Sequence, residues 1–152
     1  LEPVDTLLSE PGVVLVLADL NDPGNAGTLV RSAEAFGVTR VVFGSLGAHP
    51  HHPKVVRAAM GSIFRARLAV ATPGELAGRG WAATGLAAEG GPLDGAFTAE
   101  RSLLVVGHER HGLGEWNALC AQTAAIPMTG RAESLNAAIA GSIALYEASR
   151  RR

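Results

Sequence analysis

The sequence lacks most of the features that mark a specialised chain. Cys120 is its only cysteine, so no internal disulfide can form and a reducing compartment is expected. No apolar run approaches the roughly 20 residues needed to span a bilayer, and no signal-peptide pattern opens the chain. Together these predict a cytoplasmic protein without a membrane partner. Charge is sparse too, at 18% of residues with a net of −1, which argues against gripping nucleic acid by bulk charge alone. Lysine is almost missing: Lys54 stands alone, and the other basic residues are arginines, including the tail Arg150, Arg151 and Arg152. Arginine suits bidentate phosphate contacts, although a codon bias accounts for such a ratio equally well.

Several catalytic signatures are absent as well. His49, His51 and His52 cluster, and His108 and His111 lie three apart. Without a second cysteine or an H-E-x-x-H pattern, however, no metal site is expected. No G-x-S-x-G elbow supports serine hydrolase chemistry. Neither the phosphate loop ending in Gly-Lys-Ser/Thr nor the dinucleotide G-x-G-x-x-G fingerprint occurs.

What remains is a 47% hydrophobic chain of 152 residues, the size of one domain around one core. Short apolar runs alternate with helical patterns. Val13-Val14-Leu15-Val16-Leu17-Ala18 is a continuous run of strand length, as expected for a strand covered on both faces. A helix is predicted over about 25–36, with apolar Ala26, Leu29, Val30 and Ala33 and with Gly37 as its stop. Further strands fit 41–43, 68–70, 82–86, 103–106 and 124–126. Further helices begin near Lys54, just after Pro53, and cover about 113–121 and 134–149. The alternation points to an α/β fold with a largely parallel sheet and helices on both faces. Ligands of such sheets bind beyond the carboxyl ends of the strands, which directs attention to the segments after Ala18, Leu86, Val106 and Ile126.

Residues 19–31 form a polar, glycine-bearing turn into the first long helix. Asn25 suits the cap of that helix. Arg31 falls beside the apolar stripe in the second turn, where a cation does nothing for the dipole; its head suits a phosphate or a hydroxyl, although from spacing alone a surface arginine is the commoner outcome. The run Gly107-His108-Glu109-Arg110-His111-Gly112-Leu113-Gly114 places three glycines in eight positions, which lets backbone approach a ligand closely. The run Ile126-Pro127-Met128-Thr129-Gly130-Arg131-Ala132-Glu133-Ser134-Leu135-Asn136 offers Ser134 as the cap of the last helix, with Glu133 near its positive end. That helix carries small residues at Ala137, Ala138, Ala140, Gly141 and Ala144. Leu135, Ile139, Ser142, Ile143 and Tyr146 form an opposing stripe, read as core or dimer contact.

Taken in order, Asn25-Ala26-Gly27-Thr28-Leu29-Val30-Arg31, then Gly107-His108-Glu109 with Gly112-Leu113, then Ile126-Pro127-Met128 with Glu133-Ser134-Leu135-Asn136 resemble the motifs of one family. It is the SpoU/TrmH class of RNA methyltransferases in the SPOUT superfamily. Pro53-Lys54-Val55-Val56-Arg57-Ala58-Ala59-Met60-Gly61-Ser62 resembles a further segment of that class. The resemblance runs over nearly the whole chain and implies one catalytic domain over residues 1–152. It also implies an α/β sheet whose C-terminal part is threaded into a deep trefoil knot, a rare exception among folds, and a homodimer with its active site at the subunit interface. The implied cofactor is S-adenosylmethionine, held by backbone near Gly107, Ile126 and Leu135 with Thr84, Gly85 and Met128 nearby. The implied partner is transfer or ribosomal RNA, methylated on a ribose 2′-hydroxyl. By the same resemblance Arg31 assists loss of the hydroxyl proton, while Asn25, Glu109, Ser134 and Asn136 shape the catalytic site. Arginine is almost always protonated, so an orienting and electrostatic role fits Arg31 better than that of a general base. Three other readings stay open: methyl transfer to a base nitrogen, an inactive relative that binds RNA or cofactor without turnover, and a plain nucleotide-binding α/β protein that would bind ATP equally well. Many members of the class carry an upstream RNA-binding domain, whereas this chain opens at Leu1 almost directly on the catalytic part.

Overall fold

A computed structural model describes residues 1–108, 112–130 and 135–151. Among these residues six strands form one sheet: β1 (Gly12–Leu17), β2 (Arg40–Gly44), β3 (Arg67–Ala71), β4 (Ala82–Pro92), β5 (Arg101–Val106) and β6 (Gln122–Ala125). Their order is β3-β2-β1-β5-β4-β6, and each registered pair is parallel. The helices are α1 (Val4–Leu7), α2 (Pro23–Ala35), α3 (Pro53–Ala58), α4 (Pro73–Leu76) and α5 (Ala137–Ser149).

Alternate residues of β1 feed two separate cores. Leu15 and Leu17 pack with Leu29 and Val30 of α2, Val55 of α3 and Leu145 of α5. Val14 and Val16 pack on the other face with Val4 and Leu7 of α1, Leu76 of α4 and Trp116. All four strand residues are buried, which is why the run is apolar without interruption. The expected parallel α/β sheet with helices on both faces is therefore what the chain adopts. At the other end of the sheet Arg40 is buried as well. Its guanidinium donates to the carbonyls of Leu7, Glu10 and Pro11 at 3.0, 2.7 and 2.8 Å.

The helix ends differ from the sequence expectation. α2 starts at Pro23, whose missing N–H costs nothing in a first turn, and its cap is Asp22 rather than Asn25. The Asp22 carboxylate accepts from the Asn25 backbone N–H at 3.0 Å. Gly37, at φ +80°, turns the chain out beyond the helix as expected. α5 is capped by Asn136, whose Oδ1 accepts from the backbone N–H groups of Ala138 and Ile139 at 2.8 and 3.3 Å. The expected cap Ser134 and its neighbour Glu133 lie outside the described residues. Residues 113–121 form a 3₁₀ run over Gly114–Leu119, not an α-helix, and Ile126 lies just past β6 rather than within it.

The apolar stripe of α5 also turns out reversed. Its small residues face the core, where a Cβ on Gly141 would stand 3.3 Å from Val106 Cγ2 and also overlap Leu29. Ile139, Ile143 and Tyr146 are 54%, 39% and 52% exposed, so they are not core. Ser142 meets Ser32 of α2 at 2.7 Å, and Tyr146 lies edge-on to Phe36. α2 crosses α3 closely too, since a Cβ on Gly27 would lie 2.7 Å from Ala58 Cβ and overlap the Val55 carbonyl. Gly27→Ala is expected to destabilise the fold by about 1–3 kcal/mol despite alanine's better helix propensity. Gly141→Ala should cost less, because a leucine side chain can yield where backbone cannot. Urea unfolding compares them, and equal midpoints would show that the α2–α3 crossing is not limited by backbone.

Candidate functional site

β5, β4 and β6 lie side by side and end in the same direction. Beyond their carboxyl ends opens a cavity of about 540 Å³. Residues 86–89 of β4 form one wall, and Val106, Gly107 and His108 another. Ala124, Ala125 and Ile126 close the third strand end. Met128, Leu135, Ala137 and Ala140 cover the cavity, and Gly112, Leu113, Gly114 and Asn117 complete it. Three of the four strand ends singled out in the sequence thus meet at one place.

Local chemistry explains the shape. His108 and Gly112 exchange backbone hydrogen bonds at 2.9 and 2.8 Å. Position 107 must be bare, because a Cβ there would lie 2.7 Å from the Gly112 carbonyl carbon. β4 is interrupted beside the cavity: Leu86 and Gly91 both register against Ala124, so residues 87–90 form an excursion from the strand.

The fourth strand end joins the cavity through a carboxylate. Asp19 follows β1 in the left-handed conformation, at φ +53°. Its Oδ2 accepts from Trp116 Nε1–H at 2.8 Å, and its Oδ1 from the Leu46 backbone N–H at 3.1 Å. Gly44 and Gly47 leave space for it, since Cβ atoms there would stand 2.5 Å from Asp19 N and 2.6 Å from Asp19 C. Sequence reasoning passes over this tie, because its two residues lie 97 positions apart and no periodic pattern joins them.

Among the described lining residues there is no lysine or arginine; the charged side chain is Glu89, and the other polar ones are His108 and Asn117. Cys120 sits behind the cavity, where burial pushes its thiol up to about 11, so it is not a nucleophile at neutral pH.

Of the residues expected to hold a cofactor, Gly107, Ile126, Met128 and Leu135 line the cavity, whereas Thr84 and Gly85 do not. Thr84 is buried earlier in β4, where its Oγ1 accepts from Gln122 Nε2 at 3.0 Å. Gly85 lies against the side chains of Leu113 and Cys120. Among the expected catalytic residues, Arg31 is the ninth residue of α2, exposed and outside the cavity. Asn25 is half-buried in the first turn of α2, and Asn136 caps α5. Glu109 and Ser134 lie outside the described residues.

The model of the SpoU rRNA Methylase family matches residues 12–146 of this chain. The chain belongs to that family. It is similar to a 23S rRNA (uridine(2479)-2'-O)-methyltransferase of Streptomyces viridochromogenes, 38% identical over 146 residues, which covers 86% of this chain and 50% of the relative. A 23S rRNA (guanosine(2553)-2'-O)-methyltransferase of Bacillus subtilis is 36% identical over 141 residues, covering 88% of this chain and 56% of the relative. The chain thus spans about half the length of these curated relatives. Among solved structures, the SpoU methyltransferase AviRb from Streptomyces viridochromogenes in complex with AdoMet superposes with a TM-score of 0.86 at 33% identity, over 97% of this chain and 64% of that one. A structure concerned with 2-OH methylation of C/U34 on tRNA gives a TM-score of 0.80 at 32% identity, over 93% of this chain and 96% of that one.

Trp116→Phe keeps the ring in the core but removes the N–H that satisfies Asp19. It is expected to lower the unfolding free energy by about 1–3 kcal/mol, the cost of stranding a partly buried acceptor. Chemical denaturation measures this, and a variant as stable as the parent would show that water serves Asp19 equally well.

Proposed function

We propose that this chain is the catalytic part of an enzyme that transfers the methyl group of S-adenosylmethionine to a ribose 2′-hydroxyl of ribosomal or transfer RNA. The cavity beyond β4, β5 and β6 carries this reading, because Gly107, His108, Gly112, Leu113, Ile126, Met128 and Leu135 of its lining belong to two of the segments that resemble the family motifs. Its volume and largely apolar walls suit an adenine ring. No lysine or arginine among its described lining residues offers a triphosphate a counter-charge. Gly107, Ile126, Met128 and Leu135 would hold the cofactor, by backbone and apolar contact. The activities of the two ribosomal RNA relatives support the choice of a 2′-oxygen as acceptor.

The bound cofactor supplies an electrophilic methyl on a positively charged sulfur. The work left to the chain is to hold the hydroxyl in line with it and to ease loss of the hydroxyl proton. Arg31 suits this task, being exposed with no hydrogen bond or ion pair to another described residue. As a permanent cation with five donors, it orients the ribose or its phosphate and stabilises negative charge developing on the oxygen. Asn25, Glu109, Ser134 and Asn136 shape the same site, Asn136 by fixing the start of α5.

Arg31 does not line the cavity of its own chain, so the proposal includes a homodimer. The exposed stripe Ile139, Ile143 and Tyr146 on α5, beside α2, supports that face as the contact, with Arg31 brought to the partner's cavity. The path from β6 at the sheet edge back to α5 is proposed to thread the trefoil knot implied by the family. Residues 1–152 are read as one domain.

Calorimetric titration with S-adenosylhomocysteine is expected to show about one site per subunit in the apolar cavity, with no binding of ATP. A folded protein that binds neither overturns the reading. Arg31→Ala should lose methyl transfer by ~100-fold or more while S-adenosylhomocysteine affinity is unchanged; full activity removes Arg31 from the mechanism. Ile143→Asp places a charge in the proposed contact and should give a monomer by light scattering. A variant that remains dimeric would place the contact elsewhere.

A further inference from the structure

We propose that Glu89 is a specificity-determining residue of the cofactor site, its carboxylate receiving the α-ammonium group of the methionyl tail of S-adenosylmethionine. The inference rests on the function proposed above and adds to it the group that orients the polar end of the cofactor.

β4 does not pass the cavity as a regular strand. Leu86 and Gly91 both register against Ala124, so residues 87–90 are extra chain. Gly90 allows the return, because a Cβ there would lie 2.6 Å from the Ala124 backbone nitrogen and carbonyl carbon. Irregularities of this kind re-aim side chains, and here they set Ala87, Ala88 and Glu89 on the cavity wall.

Glu89 is exposed and makes no hydrogen bond or ion pair with another described residue. It is the sole carboxylate among the described lining residues, with no lysine or arginine beside it. A free carboxylate on the rim of an apolar cavity favours a ligand with an apolar body and a cationic, hydrated end. S-adenosylmethionine has that shape: the adenine matches walls such as Val106, Ile126 and Leu135, and the amino-acid tail stays in water. Of its hydrogen-bond donors the ammonium alone carries full charge, so its bond to a carboxylate is the stronger kind. Exposure holds the effect to about 3- to 10-fold in affinity.

The test compares wild type with Glu89→Gln by calorimetry, using S-adenosylhomocysteine and 5′-methylthioadenosine, which keeps the nucleoside and thioether but has no amino-acid tail. The substitution is isosteric and exposed, so the fold should be unaffected. The expected result is a loss of about 3- to 10-fold for S-adenosylhomocysteine, shrinking at high salt, with 5′-methylthioadenosine unchanged. Equal losses for both ligands would assign the carboxylate to the ribose hydroxyls and overturn the ammonium contact. Unchanged affinity for S-adenosylhomocysteine would remove Glu89 from recognition. If wild type itself binds no S-adenosylhomocysteine, the functional reading fails first and this inference with it.

Discussion

The site is held in shape by the way one carboxylate is satisfied. Asp19 stands at the end of the central strand, where left-handed backbone costs a non-glycine residue about 1–3 kcal/mol. The cost is offset because the conformation aims its two oxygens at different parts of the chain, the loop after β2 through Leu46 and the 3₁₀ run through Trp116. Trp116 belongs to the core on one face of the sheet, while α2, which starts four residues after Asp19, packs on the other. One side chain therefore fixes the start of the arginine-bearing helix relative to the cavity wall at residues 112–117. The same wall also carries the bridge from His108 to Gly112.

Small residues do at several crossings what large ones do in the core. Gly27, Gly107, Gly141 and Gly90 each stand where a Cβ would overlap a neighbour. These contacts bring α2 onto α3, the loop after β5 onto itself, α5 onto α2 and β5, and the β4 excursion onto β6. They are short-range constraints that set the cavity walls by close packing.

Much of the fold was legible in the sequence because it depends on patterns that burial enforces. β1 has both faces covered, so its apolar run has no polar break, and the strand ends are where polar and glycine-rich segments fall. The caps were not legible, because Asp22 and Asn25, or Ser134 and Asn136, are equally suited by type, and only backbone angles decide which one accepts. The α5 stripe misleads for a related reason. Large apolar residues are normally the buried ones, but a helix that must approach the sheet closely turns its alanines and glycine inward and leaves Ile139 and Tyr146 outside. Arg40, buried among backbone carbonyls, follows no periodic pattern. Nor does the β4 excursion, which exists only as a mismatch of register with β6 and could be found only once the two strands were paired.

On the function proposed above, a net charge of −1 is compatible with work on RNA, because that proposal assigns its two chemical tasks to different surfaces. In the proposed function the cavity favours an adenine through its apolar walls, with no lysine or arginine among the described lining residues. The phosphates of an RNA would meet cations outside the described lining: Arg31 on α2, with Lys54 and Arg57 along an open groove at the start of that helix. Spreading positive charge evenly over the chain would raise affinity for any nucleic acid and bring cations to the cavity rim, where they would attract nucleotides in place of the cofactor. Local placement of few arginines avoids that conflict. On that proposal, cofactor affinity and RNA affinity are separable properties of the same chain, one set by apolar walls and the other by exposed cations.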